Sequence, residues 1–186
     1  GMERHEGGCS CGDVRYHITD EPMFTHACHC KLCQRYTASA FVVHSLIEAN
    51  NFVVDKGMLI TMVGPSGSGS GHSIQRCERC GDQVFSHFAA IGTDQILVFK
   101  TTTLDNAEGF PPLAHIFTKS KLSWVELGTD VPSFDEFYDR DEIYSKRSLE
   151  RRSKSNYALP LRDNICVRMH VYIPTASPVA HAWGVT

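Results

Sequence analysis

Ser73-Ile74-Gln75-Arg76-Cys77-Glu78-Arg79-Cys80-Gly81-Asp82-Gln83-Val84-Phe85-Ser86-His87-Phe88 reads as a β-hairpin with Cys77-Glu78-Arg79-Cys80-Gly81 as its turn. In a C-x-x-C-G turn two sulfurs converge, and Gly81 permits the positive φ such turns need. This is the knuckle geometry of zinc ribbons, and a knuckle supplies half of a four-ligand site. The other half is Cys9-Ser10-Cys11, which leads into a strand carrying Val14, Tyr16 and Ile18 on one face. Residues i and i+2 of a strand point to the same side, so Cys9 and Cys11 can aim at one ion. Cys9, Cys11, Cys77 and Cys80 together form a tetrahedral S₄ set, which suits zinc. Structural zinc contributes about 10–16 kcal/mol of apparent binding free energy in finger peptides. Loss of any of these four is expected to damage folding first.

Three more cysteines sit in Cys28-His29-Cys30-Lys31-Leu32-Cys33. A closed structural zinc takes four protein ligands, and a catalytic zinc takes three and keeps one position open. Four plus three therefore suggests one metal that holds the fold and one that does chemistry. Three thiolates on Zn²⁺ leave a net negative complex, a poor source of hydroxide but a good seat for a sulfur or carbonyl oxygen. Carbon–sulfur bond making or breaking is the chemistry to expect. The competing readings are a second structural zinc completed by His26, His29 or another histidine, or a cluster without metal. His29, between two ligands of a C-x-C, points away from the ion if that stretch is extended.

The 186 residues suffice for one domain with a real core. Hydrophobic content of 42%, charged content of 21% and a net charge of −3 suit a soluble globular protein and give no global basic field. Nucleic acid is accordingly an unlikely partner. No leader precedes the first cluster, and no apolar run approaches a membrane span, so a cytoplasmic location is expected. Gly1 before Met2 reads as a tag remnant. Metal is favoured over a disulfide framework because C-x-C and C-x-x-C spacings gather sulfurs around one centre. Cys166 stands alone as a free thiol.

Short strands are expected at 40–46, 52–54, 59–63, 96–101, 115–120 and 123–127, with helical turns at 32–40 and 133–140. Gly64-Pro65-Ser66-Gly67-Ser68-Gly69-Ser70-Gly71 reads as a mobile loop, placed to border a site. Many short strands with Gly and Pro turns argue an all-β (mainly β) fold of twisted sheets with few short helices. Lys146 to Lys154 is a basic stretch, read as a solvated helix or loop with polyanion binding as the minority alternative. Val167, Met169, Val171 and Ile173 alternate with polar residues as a strand that adds to a sheet edge of its own chain or a neighbour's.

At its motifs the chain resembles the glutathione-dependent formaldehyde-activating (GFA) family. The resemblance rests on Gly8-Cys9-Ser10-Cys11-Gly12-Asp13-Val14-Arg15-Tyr16, on Cys28 to Arg35 with Ser39-Ala40-Phe41, on Cys77 to Gly81 with Phe85, on Thr103-Leu104-Asp105, and on His115 to Lys121 with Trp124. Order and spacing agree from about Gly7 to Phe137. The resemblance implies an Mss4-like fold and two Zn²⁺ ions per chain. It implies a structural zinc on Cys9, Cys11, Cys77 and Cys80, and a catalytic zinc with an open position on Cys28, Cys30 and Cys33. The implied activity is that of a carbon–sulfur lyase resembling S-(hydroxymethyl)glutathione synthase, acting on a small thiol–aldehyde adduct with glutathione as one candidate thiol. The alternative is a non-catalytic zinc module that binds a protein or nucleic acid. The domain reading is a lead-in at 1–6, a GFA-like zinc domain at 7–138 and a C-terminal extension at 139–186. Thr37-Ala38 stands where the family commonly has glycine, and Arg76 where an aromatic is common. Lys31 and Arg35 flank the trio as surface charges or as holders of a substrate carboxylate. His115 is a weaker candidate to line the site, and Phe117 and Trp124 read as core.

Overall fold

The computed structural model describes residues 4–92, 94–155 and the backbone of 167–172. The fold is mainly β, with two sheets and few short helices. A three-stranded sheet runs in the order β1 (His5–Gly8), β2 (Arg15–Ile18), β5 (Phe52–Lys56). The larger sheet takes β3 (Phe24–Cys28), β4 (Val42–Glu48), β6 (Leu59–Gly64), β7 (His72–Cys77), β8 (Gln83–Phe88), β9 (Ile96–Lys100), β10 (His115–Ile116) and β11 (Val167–Tyr172). Its eight strands lie in the order β10-β3-β4-β9-β8-β7-β6-β11. Only the edge pairs are parallel, β10 with β3 and β11 with β6. The alternation that begins at Val167 thus completes an edge of the chain's own sheet, while Cys166 and Ile173 lie outside the described residues.

The period of two divides the larger sheet into two faces. Ile47, Phe85, Leu97 and Phe99 turn toward the small sheet, where they pack on Tyr16, Ile18 and Phe52 in the main core. Tyr16 stacks on Phe52 with centroids 4.3 Å apart, and its hydroxyl shares a 2.7 Å hydrogen bond with Thr103. Gly7 is required there, because a Cβ would stand 2.5 Å from the Thr103 carbonyl oxygen and 2.6 Å from the Tyr16 ring. The opposite face carries Phe24, His26 and Cys28 from β3, His44 and Leu46 from β4, and Val98 and Lys100 from β9. That second face bears the site.

Three α-helices lie among the described residues, besides short 3-10 turns: α1 (Lys31–Thr37), α2 (Arg140–Ile143) and α3 (Lys146–Ser155). Helix α1 ends in a Schellman arrangement, with Ala38 N–H donating to Arg35 O at 3.4 Å and Ser39 N–H to Gln34 O at 3.1 Å. Ala38 sits at its left-handed position with φ of 49°. Helix α3 contains the basic stretch, and three of its arginines are spent on the chain itself. Arg147 pairs with Asp20 at 2.7 Å, Arg151 grips Glu48, and Arg152 donates to Ile91 O at 2.7 Å.

Several local expectations differ from the structure. Residues 115–120 give only a two-residue strand followed by a 3-10 turn at Thr118–Ser120, and 123–127 contain no strand. The chain there bonds instead to 132–136, as in Phe117 N–H to Glu136 O at 2.8 Å, so long-range partners override β propensity. Residues 133–139 are not helical, and α2 starts only at Arg140, capped by the Asp139 carboxylate. Trp124 is 71% exposed, not core. Strands β1 and β3 escaped the sequence reading, the first because Gly7 and Gly8 carry no alternation, the second because β3 is buried on both faces.

Candidate metal centres and the cavity beside them

Cys9, Cys11, Cys77 and Cys80 bring their four sulfurs within 4.8 Å of one another. Cys9 Sγ lies 3.5 Å from Cys11 Sγ, which lies 3.8 Å from Cys77 Sγ. A tetrahedron with ~2.3 Å metal–sulfur bonds has edges of about 3.8 Å. The cluster is therefore sized for a tetrahedral ion and too open for disulfides. Gly81 has the positive φ, +80°, that the knuckle requires. The Val14 N–H donates to Cys9 Sγ at 3.2 Å, and Ser10 N–H donates to the Asp82 carboxylate at 2.7 Å. The first bond orients Cys9 within the N-terminal half, and the second ties the two halves of the cluster together.

The second cluster gathers Cys28, Cys30 and Cys33, again within 4.8 Å. Cys28 ends β3, Cys30 caps α1, and Cys33 occupies the first turn of that helix. The Cys33 N–H donates to Cys30 Sγ at 3.3 Å, so the cap itself orients the sulfur. As bare thiols the three charge unevenly. Hydrogen bonds from Cys28 and Cys33 push Cys30 down to about 3, while the same bonds and burial push Cys28 well up. Three thiolates at this spacing need a cation between them, and an S₃ donor set suits zinc. Among the described residues no fourth His, Cys, Asp or Glu joins the trio.

The fourth direction is a cavity of about 360 Å³ lined by all three cysteines. Period two on β3 and β4 delivers His26 and His44 to the same cavity, and β9 delivers Val98. Ser66, Gly67 and Ser68 of the glycine-rich loop border it as well. A Cβ at Gly67 would come 3.5 Å from Cys30 Sγ, so the loop lies directly on the trio. Phe117 forms part of the wall in a left-handed conformation, φ 54°, held by its bond to Glu136 O.

Two buried polar chains reach this cavity. His26 Nδ1 and Tyr138 Oη are 2.9 Å apart, and Tyr138 Oη and Tyr144 Oη 3.3 Å. Burial, with the charge of Lys100, pushes His26 down to about 3, so its ring is neutral at pH 7. Lys100 Nζ donates to His44 Nε2 at 3.0 Å and to Ser86 Oγ at 3.4 Å. Burial lowers Lys100 to about 8 and holds His44 well below its ordinary value. With Nε2 accepting, the His44 proton is on Nδ1.

Sequence reasoning placed the seven cysteines. It did not find His44, Lys100, Tyr138, Tyr144, Arg140 or Arg152, because each is a lone residue whose role comes from strand pairing or from the docked extension. The period of two at His44 and Lys100 was the one available signal. His29 points away as expected, bonding through Nε2 to His115 Nδ1 at 3.0 Å, and neither lines the cavity. Lys31 and Arg35 are exposed on α1, away from the cavity wall.

With two cysteine clusters of this spacing in place, the comparison with known families decides the membership. Residues 4–120 match the family described as glutathione-dependent formaldehyde-activating enzyme. The chain belongs to that family. Among solved structures, the chain is similar to a Rhodobacter sphaeroides protein at 14% identity, with 69% of this chain and 99% of that chain covered and a TM-score of 0.41. No curated protein matches the chain. No helix among the described residues is long and apolar enough to cross a membrane.

Proposed function

We propose that the chain is a zinc-dependent carbon–sulfur lyase that makes or breaks the C–S bond of a small thiol–aldehyde adduct at Cys28, Cys30 and Cys33. The observation that carries this reading is the three-sulfur cluster that lines a cavity and has no fourth His, Cys, Asp or Glu beside it among the described residues. Family membership supports the same chemistry. Cys9, Cys11, Cys77 and Cys80 take the structural ion, and two Zn²⁺ per chain is the resulting stoichiometry.

Zinc bound at the trio supplies a seat for sulfur and polarises a carbonyl oxygen. The chain's own residues do the rest. Formation of the adduct joins sulfur to the aldehyde carbon, and the thiol proton ends on the aldehyde oxygen; breakdown reverses both. His44, neutral and with its Nε2 lone pair taken by Lys100, presents a ring of fixed tautomer in the cavity wall; it orients the bound adduct and does not take up that proton. Phe117, Leu46 and Val98 exclude water, which limits loss of free aldehyde. Ser66 to Ser68 cover the sulfurs from the loop side.

Of the basic stretch that the binding-module alternative would use, Arg147, Arg151 and Arg152 are engaged with Asp20, Glu48 and Ile91, while Lys146 and Lys154 are exposed. The test is turnover of formaldehyde with a panel of thiols, followed by NMR of the adduct protons. Adduct formation faster than the uncatalysed reaction, abolished in a folded Cys28→Ser variant, is the expected result. Unchanged turnover in Cys28→Ser for every responsive thiol would sink the proposal.

A further inference from the structure

Part of the cavity wall comes from outside the stretch that matches the family. Phe137, Arg140, Tyr144 and Arg152 all line the cavity and all lie beyond residue 120. They are anchored there by contacts with the sheet. Tyr144 stacks on Phe24 at 4.5 Å, Tyr138 bonds to His26, and Ser148 Oγ donates to Met23 O at 2.7 Å. The pocket is thus finished by residues that lie beyond the stretch matching the family.

Its character is apolar with one charged sign. Leu46, Ile91, Val98, Ile116, Phe117 and Phe137 supply the hydrophobic surface. Among the described residues two arginines line the cavity, and no aspartate or glutamate does. Arg152 is buried and donates to Ile91 O. Arg140 is exposed at the start of α2, and its guanidinium has no hydrogen-bond or ion-pair partner among the described residues. An unmatched guanidinium at an apolar cavity is a forked donor set for a carboxylate. Arg140 follows Tyr138, which sits on His26, and its helix leads to Tyr144, which sits on Phe24. His26 and Phe24 lie about 7 and 14 Å back along β3 from Cys28 at ~3.4 Å per residue. The extension therefore meets β3 at a different level from the sulfurs, with neutral His26 between Phe24 and Cys28.

Glutathione suits this wall poorly. Its ammonium, its amides and its two carboxylates have only His26, His44, Ser66, Ser68, Tyr144 and the two arginines to meet them on a lining that is otherwise apolar, and each polar group left unpaired weakens binding. We infer that the cavity takes a thiol, or the aldehyde adduct of one, with an apolar body and a single terminal carboxylate. The sulfur lies at Cys28, Cys30 and Cys33, and the carboxylate lies on Arg140. This inference rests on the proposed function for the sulfur end; the Arg140 end and the apolar wall are independent of it.

The test is calorimetric titration of the protein as purified with its metal. The probes are unbranched ω-mercaptoalkanoates from mercaptopropionate to mercaptodecanoate, the matching ω-mercaptoalkanols, and glutathione. Affinity is expected to rise with chain length and to exceed that of glutathione by about ten-fold or more at the best length, the gain of about 1.4 kcal/mol that one charge-assisted contact supplies. Arg140→Gln is expected to weaken the best mercaptoalkanoate about ten-fold and to leave the alkanol of equal length unchanged. Glutathione binding more tightly than every mercaptoalkanoate overturns the inference but leaves the lyase reading intact. Equal weakening of acid and alcohol in Arg140→Gln overturns the carboxylate assignment. Binding of no thiol at all, glutathione included, overturns both this inference and the function on which its sulfur end rests.

Discussion

Arg151 of the C-terminal extension grips Glu48 at the end of β4 with two parallel bonds, Nε donating to Oε1 at 2.7 Å and a terminal nitrogen to Oε2 at 2.5 Å. Both side chains are mostly buried, at 13% and 20% exposure, and Arg151 also donates to Glu21 O at 2.8 Å. The pair holds α3 on the sheet that carries the cavity, and through α3 it fixes the wall formed by Tyr144 and Arg152. Replacing Arg151 by methionine is expected to cost about 2–4 kcal/mol, because Glu48 is left half-buried without its partner. A double-mutant cycle with Glu48→Gln, read by urea unfolding, is expected to give a coupling energy of about 1 kcal/mol or more. A coupling near zero would mean that the extension is not held by this pair.

Asp20 supplies a pH dependence to the same docking. Burial acts to raise its pKa, but the Arg147 hydrogen bond, the Glu21 N–H and the charge of Arg151 outweigh it and hold the carboxylate below its ordinary 3.8. A folded-state value below the unfolded one gives stabilisation that is complete above the unfolded value and is lost as pH falls through the folded one. The stability difference between the wild type and Arg147→Ala is therefore expected to be constant above about pH 5 and to shrink below the ordinary carboxylate value. Denaturant unfolding at a series of pH values checks this. A difference that persists undiminished to about pH 2 would exclude Asp20 as the partner that matters.

The two cysteine clusters are expected to fail in different ways. Cys77→Ser removes one donor from a set that joins the N-terminal strand to the β7–β8 hairpin, so it should lower the melting temperature sharply and drop zinc from two to one or fewer per chain. Cys28→Ser should lose one zinc while melting near the wild-type temperature, since β3 is held on both sides by β4 and β10. Elemental analysis alongside thermal melting reads both quantities. Equal destabilisation by the two changes would contradict a division into structural and catalytic ions.

Ala38 occupies the left-handed position of the α1 cap, where an alanine side chain is strained. Ala38→Gly is expected to raise stability by about 0.5–1 kcal/mol without altering the trio, because the cap already forms both of its bonds. Urea unfolding measures the gain, and a loss of stability would mean that the backbone relaxes away from this conformation.

The cysteines and the mainly β architecture were legible in the sequence because both signals are local. C-x-C, C-x-x-C and the alternation in Val14-Arg15-Tyr16-His17-Ile18 are determined by spacing within a few residues, and a strand or a tight turn converts spacing directly into direction. The β7–β8 hairpin and its knuckle followed from the same short-range geometry, as did the outward direction of His29. Residues 123–127 looked equally strand-like and formed none, since no neighbouring strand offers them a ladder. The cavity was decided by tertiary structure alone. His26, His44, Val98 and Lys100 meet because β3, β4 and β9 are adjacent and in a particular register, and Arg140, Tyr144 and Arg152 arrive because their segment docks on Phe24, His26, Met23, Asp20 and Glu48. The sequence by itself determined which atoms can hold metal. Long-range pairing decided what stands beside that metal, because the free energy that places those side chains comes from contacts between segments far apart in the chain.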